Sequence, residues 1–203
     1  MSTIGILAYG SLIEDPGKEI KPIIRERKEG ITTPFFIEFA RSSSTRDGAP
    51  TVVPVESGGN PVNATILVLE SGISHDKAED LLWRRETRKE CSDKHYTRPS
   101  TPTPNKVIVE RLEDFADIDI VIYTKLGENI INLCAEELAD LAINSAKARA
   151  GRDGKDGISY LISVKRQGIS TPLMPDYEKA VLQKTGASTL EDALSWCRRN
   201  PYP

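Results

Sequence analysis

The stretch Ile6-Leu7-Ala8-Tyr9-Gly10-Ser11-Leu12-Ile13-Glu14-Asp15-Pro16-Gly17 sets the reading of the whole chain. Its apolar run ends abruptly in Gly-Ser and is soon followed by Pro-Gly, so it reads as a buried strand feeding a tight, exposed loop. A glycine at a strand end admits backbone conformations closed to other residues and lets a ligand approach without a side chain in the way. If Gly10, Ser11 and Leu12 leave the sheet, their N–H groups lose any ladder partner and can form a concave nest for a carboxylate or a developing oxyanion. An ordinary strand-to-loop corner has the same residues.

Outward from this corner, the first strand is expected from Thr3 to Tyr9, buried on both faces because its apolar run is unbroken. Pro16 to Gly30 reads as a charged connection with little periodicity. Further strands are expected at Phe35 to Ala40, Thr51 to Val55 and Asn63 to Leu69, the last two separated by the turn signal Gly58-Gly59-Asn60-Pro61. Thr97 to Asn105, rich in Pro and Thr, reads as an extended loop or lid, and Lys106 to Leu112 and Ile118 to Thr124 as the last two strands. After Asn129 the pattern turns helical. One helix stops at Gly151, one at Gly168, one lies between Pro175 and Gly186, and the last starts at Ser188, with Glu191 completing a capping box. About six strands followed by helices imply an α+β fold in a single domain over residues 1–203, with strands to about 125 and mostly helix over 130–200.

The helix between the two groups of strands carries the most informative anomaly. Ser74 can cap it, and Asp76 and Glu79 favour its N-terminal end. Ala78, Leu82 and Glu86 are spaced four apart, so the glutamate continues an apolar stripe. An inward carboxylate near a helix C-terminus is partly desolvated and meets unfavourable dipole charge, and both effects raise its pKa, as acid–base work near neutral pH requires. A glutamate in the last exposed turn, ion-paired to Arg85 or Lys89, fits the same spacing. The Arg84-Arg85 pair itself reads as a solvated helix face.

Composition narrows the classes. With 203 residues, 38% of them hydrophobic and 28% charged, the chain is long enough for a sizeable core. A formal net charge of -3 with scattered basic residues argues against nucleic-acid binding. Cys91, Cys134 and Cys197 lack paired spacing, and His75 and His95 form no H-x-x-x-H, so neither a disulfide framework nor a zinc site is expected. No basic leader and no apolar run long enough for a bilayer is visible, so a cytoplasmic protein without membrane partners is expected, of unread oligomeric state.

Tyr9-Gly10-Ser11-Leu12-Ile13, with Pro16-Gly17 behind it, resembles the N-terminal signature of the gamma-glutamylcyclotransferase-like superfamily, most closely its ChaC-like branch. Phe39-Ala40-Arg41 through Ala49-Pro50-Thr51-Val52-Val53-Pro54 is similar to that family's second strand region. Leu81-Leu82-Trp83-Arg84-Arg85-Glu86, followed by Tyr96, is similar to the helix ending in its catalytic glutamate, and Gly157-Ile158-Ser159-Tyr160-Leu161 to a later helix start. Two departures, Glu14 in place of a tryptophan and Cys91-Ser92-Asp93-Lys94-His95 in place of a glycine pair, bear on substrate preference more than on fold.

The resemblance implies a small closed mixed β-barrel flanked by helices, with a pocket at one barrel mouth. It also implies an enzyme that needs no metal or cofactor and converts a γ-glutamyl amide, such as glutathione, a γ-glutamyl amino acid or a γ-glutamylamine, to 5-oxoproline and a released amine. Glu86 would be the general acid and base, and the amides of Gly10, Ser11 and Leu12 would hold the glutamyl carboxylate or the carbonyl oxygen. Tyr96 would line the pocket. Tyr9 either donates a hydrogen bond or packs beneath the loop, and Tyr123, at a strand end, either closes one side of the pocket or packs. Arg41 either meets a substrate carboxylate or stands at the surface. Ser11 as a covalent nucleophile lacks a G-x-S-x-G elbow and a partnered histidine. A non-catalytic metabolite-binding module on the same fold is the alternative from a different class.

Overall fold

The opening apolar run forms β1 (Ile4–Ala8), and all five of its residues are buried. The computed structural model describes residues 2–202. The other strands are β2 (Ile24–Thr32), β3 (Phe36–Ser43), β4 (Ala49–Val55), β5 (Asn63–Leu69), β6 (Ile108–Phe115) and β7 (Ile118–Lys125). The helices are α1 (Ser11–Glu14), α2 (His75–Glu86), α3 (Ala135–Lys147), α4 (Arg149–Arg152), α5 (Gly157–Arg166), α6 (Met174–Thr185) and α7 (Leu190–Arg199). The class is mixed α+β, with the last strand ending at Lys125 and helices following from Ala135. The chain divides into two compact units, one of residues up to 34 and 63–127, the other of 35–62 and 128 onward.

In the first unit five strands form a sheet in the order β2-β5-β1-β7-β6. β1 lies in the middle, antiparallel to β5 and parallel to β7, which is why its sequence is apolar on both faces. Ile6, Ala8, Leu67, Ile122, Leu12 and, from α2, Ala78, Leu81 and Leu82 form one buried cluster, so the sheet, the corner after β1 and the helix share a core. No helix of the described residues is long and apolar enough to cross a membrane.

Two expectations need correction here. The segment read as a charged connection between Pro16 and Gly30 contains a 3₁₀ turn at Lys21–Ile23 and then most of β2. β2 is an edge strand with mostly exposed side chains, and its register on β5 shifts twice, between Ile24 and Glu26 and between Lys28 and Ile31. An exposed, bulged edge has no apolar alternation to read. Nor is a closed barrel found: β2 and β6 are the two edges of the five-stranded sheet, and no ladder joins them among the described residues. A side chain does reach across, for Lys28 Nζ of β2 donates to the Ala116 carbonyl in the β6–β7 turn at 2.7 Å.

The second unit sets the β3–β4 hairpin beside helices α3 to α7. Glu38 is buried on β3 and satisfied there: its carboxylate accepts from the Phe39 N–H at 2.7 Å, the Thr171 hydroxyl at 2.5 Å and the Leu173 N–H at 3.0 Å. Tyr177 and Phe39, both fully buried, meet edge to face at 5.3 Å. The helix expected to run to Gly151 breaks at Ala148, which takes an extended conformation between α3 and α4. The last helix is capped by Thr189, whose hydroxyl accepts from the Asp192 N–H at 3.1 Å, and not by Ser188 with Glu191; either hydroxyl fits the pattern, and the extended backbone of Thr189 selects it.

Gly157, at the start of α5, is where the resemblance placed a helix start, and its reason for being glycine is contact. A Cβ there would lie 2.8 Å from the Ala142 Cα of α3 and 3.0 Å from Pro50 Cδ, so backbone would have to move. Gly157→Ala is expected to lower stability by about 1–3 kcal/mol, the range for overpacking. A urea titration would show this as a lower midpoint at unchanged slope; an unchanged midpoint would mean that the two helices can part at no cost.

Candidate functional site

The corner after β1 is built on Gly10, with φ 59° and ψ -135°, a positive-φ backbone that favours glycine. It turns the chain from the sheet directly into α1, where the Ile13 N–H donates to the Gly10 carbonyl at 3.2 Å and the Asp15 N–H to the Ser11 carbonyl at 2.9 Å. The N–H groups of Ser11 and Leu12 open this turn and so have no carbonyl partner within it. Leu12 is buried in the first unit's core, which anchors the turn.

In α2, Ser74 caps as its sequence suggests, accepting from the Lys77 N–H at 3.3 Å. Along the stripe Ala78 and Leu82 are fully buried, while the Glu86 side chain emerges with 21% of its surface exposed. Its carboxylate is bound: Arg85 Nη1 donates to Glu86 Oε1 at 2.6 Å. Neighbouring helical residues do not ordinarily face one another. Here the Arg85 guanidinium is drawn round by the loop, since Nε and Nη2 both donate to the Asp15 carbonyl, at 3.1 and 2.5 Å. Nη2 also lies 3.5 Å from Ser11 Oγ, the outer limit of a hydrogen bond. One guanidinium therefore joins the corner to the carboxylate at the helix end.

The opposite expectation, that Arg84 and Arg85 form a solvated face, is corrected. The Arg84 side chain is 3% exposed and that of Arg85 13%. Arg84 makes a two-pronged pair with Glu19, Nε to Oε2 at 2.9 Å and Nη2 to Oε1 at 2.8 Å, and donates from Nη1 to the Lys94 carbonyl at 3.0 Å. Glu19 in turn accepts from the Cys91 N–H at 3.0 Å, so the chain just after α2 is tied through Glu19 to Arg84. The Arg84 hydrogen bonds hold the Glu19 carboxyl below its ordinary range, against the opposing effect of burial. Asp80, also buried, is pushed up by desolvation, but the Tyr96 N–H at 2.6 Å and His95 Nδ1 at 2.6 Å outweigh this and hold it low.

The three tyrosines fare differently. Tyr9 donates from its hydroxyl to the Thr124 carbonyl at 3.1 Å, tying the corner to the end of β7. Tyr96 packs on Trp83 at 6.4 Å between ring centres, and its hydroxyl accepts from the Val109 N–H at 3.0 Å. Tyr123 lies opposite Glu110 on β6; burial pushes its phenol up, the Glu110 charge adds to this, and Arg98 opposes it. Arg41 lies on β3, in the other unit from Glu86, and burial lowers its pKa.

The residue that sequence reasoning missed is Arg85 as a bridge. The ion pair of Glu86 with Arg85 is among the readings of the spacing; the second hold of Arg85, on Asp15 and Ser11, is not. His75, Asp76 and Glu79, in the first turn of α2, place one ligand atom each within 4.8 Å of one another. A cation there would meet the positive end of the helix dipole. A cavity of about 30 Å³, room for one water, is lined by Thr3, Ile4, Arg25, Leu69, Glu70 and Ile73 at the far end of β1 from Gly10. No protein-family model and no curated protein sequence matches this chain.

Because Glu19 is held low in the folded state, its pairing stabilises the protein above the ordinary carboxylate value of 4.5, and this contribution is lost as pH falls through the lowered folded value. Glu19→Gln leaves Arg84 buried without its counter-charge and is expected to destabilise by about 3–5 kcal/mol near neutral pH. The loss should shrink towards acid, where the parent also surrenders the pair. Denaturant titrations from pH 7 to pH 3 would show the two stability curves converging; parallel curves would contradict the assignment.

Proposed function

We propose that the protein is a gamma-glutamylcyclotransferase-type enzyme that converts a γ-glutamyl amide to 5-oxoproline and a free amine. The observation that carries this reading is the joining of Glu86 to the corner after Gly10 through Arg85, which brings a carboxylate, a guanidinium and the Ser11 hydroxyl together. The reading needs the corner and the helix end, and does not need barrel closure.

A γ-glutamyl amide carries its own nucleophile, the α-amine, but as an ammonium it cannot attack. Glu86 takes one proton from it. The freed nitrogen then attacks the γ-carbonyl carbon and closes a five-membered ring, a step in which proximity is supplied mainly by the substrate. Negative charge gathers on the carbonyl oxygen as the new C–N bond forms, and the N–H groups of Ser11 and Leu12 are donors suited to it. The old C–N bond breaks as Glu86 returns its proton to the departing nitrogen, and the second proton on the new ring nitrogen passes to the departing amine, which leaves as an ammonium. The products are 5-oxoproline and the protonated amine, with no net change in protons on the enzyme.

Tyr9 and Tyr96 have supporting parts in this reading. The Tyr9 hydroxyl fixes the corner on Thr124, and Tyr96 holds the start of β6 against Trp83. A second reading, a metabolite-binding module of the same fold, is favoured by one observation: the Glu86 carboxylate is already engaged by Arg85.

The decisive assay is 5-oxoproline release from glutathione, γ-glutamyl dipeptides and γ-glutamylamines. The parent is expected to release it from at least one of them, and Glu86→Gln to lower kcat by about 10²–10⁴, the usual contribution of a positioned acid–base group. Release by neither protein from any substrate would leave the binding module as the better reading.

A further inference from the structure

We infer that the Arg85 guanidinium is a receptor for the carboxylate of an anionic small molecule, and that the Glu86 carboxylate is its internal stand-in, displaced when that molecule binds. The inference rests on the preceding reading only for the identity of the substrate and for what Glu86 does once released.

Three features of the site carry it. Arg85 does not depend on Glu86 for its orientation. Its Nε and Nη2 are fixed on the Asp15 carbonyl, and its stem is pressed by the loop: a Cβ on Gly17 would lie 2.8 Å from Arg85 Cγ, and Gly17 has φ 87°. A guanidinium anchored by a neutral carbonyl keeps its place when its anionic partner leaves, and its remaining positive charge, largely withdrawn from water, calls for another anion.

The partner, by contrast, is loosely held. Arg85 supplies the hydrogen bond that Glu86 makes, and Glu86 is more exposed than Arg85, at the last residue of α2 beside the C-cap Thr87. Its side chain is not part of the buried cluster that holds Ala78, Leu81 and Leu82 of the same helix.

Finally, a second donor for an incoming carboxylate is at hand. Ser11 Oγ lies 3.5 Å from Arg85 Nη2. A carboxylate on Arg85 comes within reach of this hydroxyl, to which Glu86 makes no hydrogen bond. The exchange moves Glu86 off its counter-charge at the moment an amino acid-like ligand arrives, and frees it to accept the ammonium proton of that ligand. The ligand class is thus a small carboxylate, best an α-amino acid derivative, and a neutral amide of the same shape is rejected.

The test uses the full chain and measures binding by calorimetry at constant ionic strength. The probes are 5-oxoproline and glutarate, with 5-oxoprolinamide as the neutral counterpart. Glu86→Gln removes the internal competitor and is expected to bind both carboxylates about tenfold tighter than the parent, the scale of one charge-assisted hydrogen bond. Adding Arg85→Met to it should abolish that gain, and 5-oxoprolinamide should bind neither better nor worse than to the parent. A gain in affinity cannot arise from misfolding, so Glu86→Gln alone keeps the test sound. Equal or weaker carboxylate binding by Glu86→Gln overturns the inference, as does a gain that survives Arg85→Met. Loss of turnover in Glu86→Gln with unchanged carboxylate affinity overturns the displacement and leaves the reaction standing. Tighter binding in Glu86→Gln of a protein that turns over no γ-glutamyl compound does the reverse.

Discussion

A largely buried guanidinium must find acceptors for its donors, and in this protein that demand on Arg85 organises the corner. Its bonds to the Asp15 carbonyl close the loop that follows α1 onto the end of α2. Glu90 reinforces the closure from the next turn of chain by accepting from the Lys18 N–H at 2.6 Å. Gly17 is what lets the loop lie so close, because a side chain there would strike both Glu90 and Arg85. Gly10 is what lets the loop start where it does. The sheet contributes the fixed base: β1 is central, and Leu12 roots the turn in the same apolar cluster as α2. Sequence, backbone and electrostatics therefore agree at this one place.

The two consecutive arginines divide the work of the helix end. Arg84 is spent on structure, since its carboxylate partner, its carbonyl partner and its depth leave nothing to offer a ligand. Arg85 keeps an exchangeable partner. Both positive charges sit in the last turn of α2, where the helix dipole favours them, so the fold collects cationic charge here at reduced cost. Lysine would serve poorly at either position: the fork that meets Glu19 at two points, and the one that spans Asp15, Ser11 and Glu86, both need planar, divergent donors.

Much of the fold was legible. β1, β5 and β7 declared themselves by apolar runs, and α2 by Ser74 and its stripe, because burial imposes a period that a sequence displays. β2 did not, because an exposed edge has no such period, and its bulges break what alternation remains. The break at Ala148 is equally silent, as alanine is a good helix former and the interruption belongs to packing. In the site, Gly10 and Glu86 could be singled out from their neighbours in sequence. The part of Arg85 could not, because its partners Ser11 and Asp15 lie some seventy residues away and only the pairing of loop with helix brings them in reach. Charged residues next to one another read as solvent-facing by habit of composition, and Arg84, at 3% exposure, shows how far a well-paired charge departs from it.

Neither compact unit is contiguous in the chain. The hairpin of β3 and β4 interrupts the strands of the first unit, and the segment from Asn63 to Gly127 interrupts the second. During synthesis the β3–β4 hairpin leaves the ribosome long before α3, α5 and α6, and the carboxylate of Glu38 then waits for the Thr171 hydroxyl and the Leu173 N–H to appear more than 130 residues later. Until they do, Glu38 lacks two of its three hydrogen-bond partners, and enclosing its carboxyl group at that stage would leave it under-satisfied. A chain cut after β7 would carry Glu38 without the Thr171 hydroxyl and the Leu173 N–H that meet it.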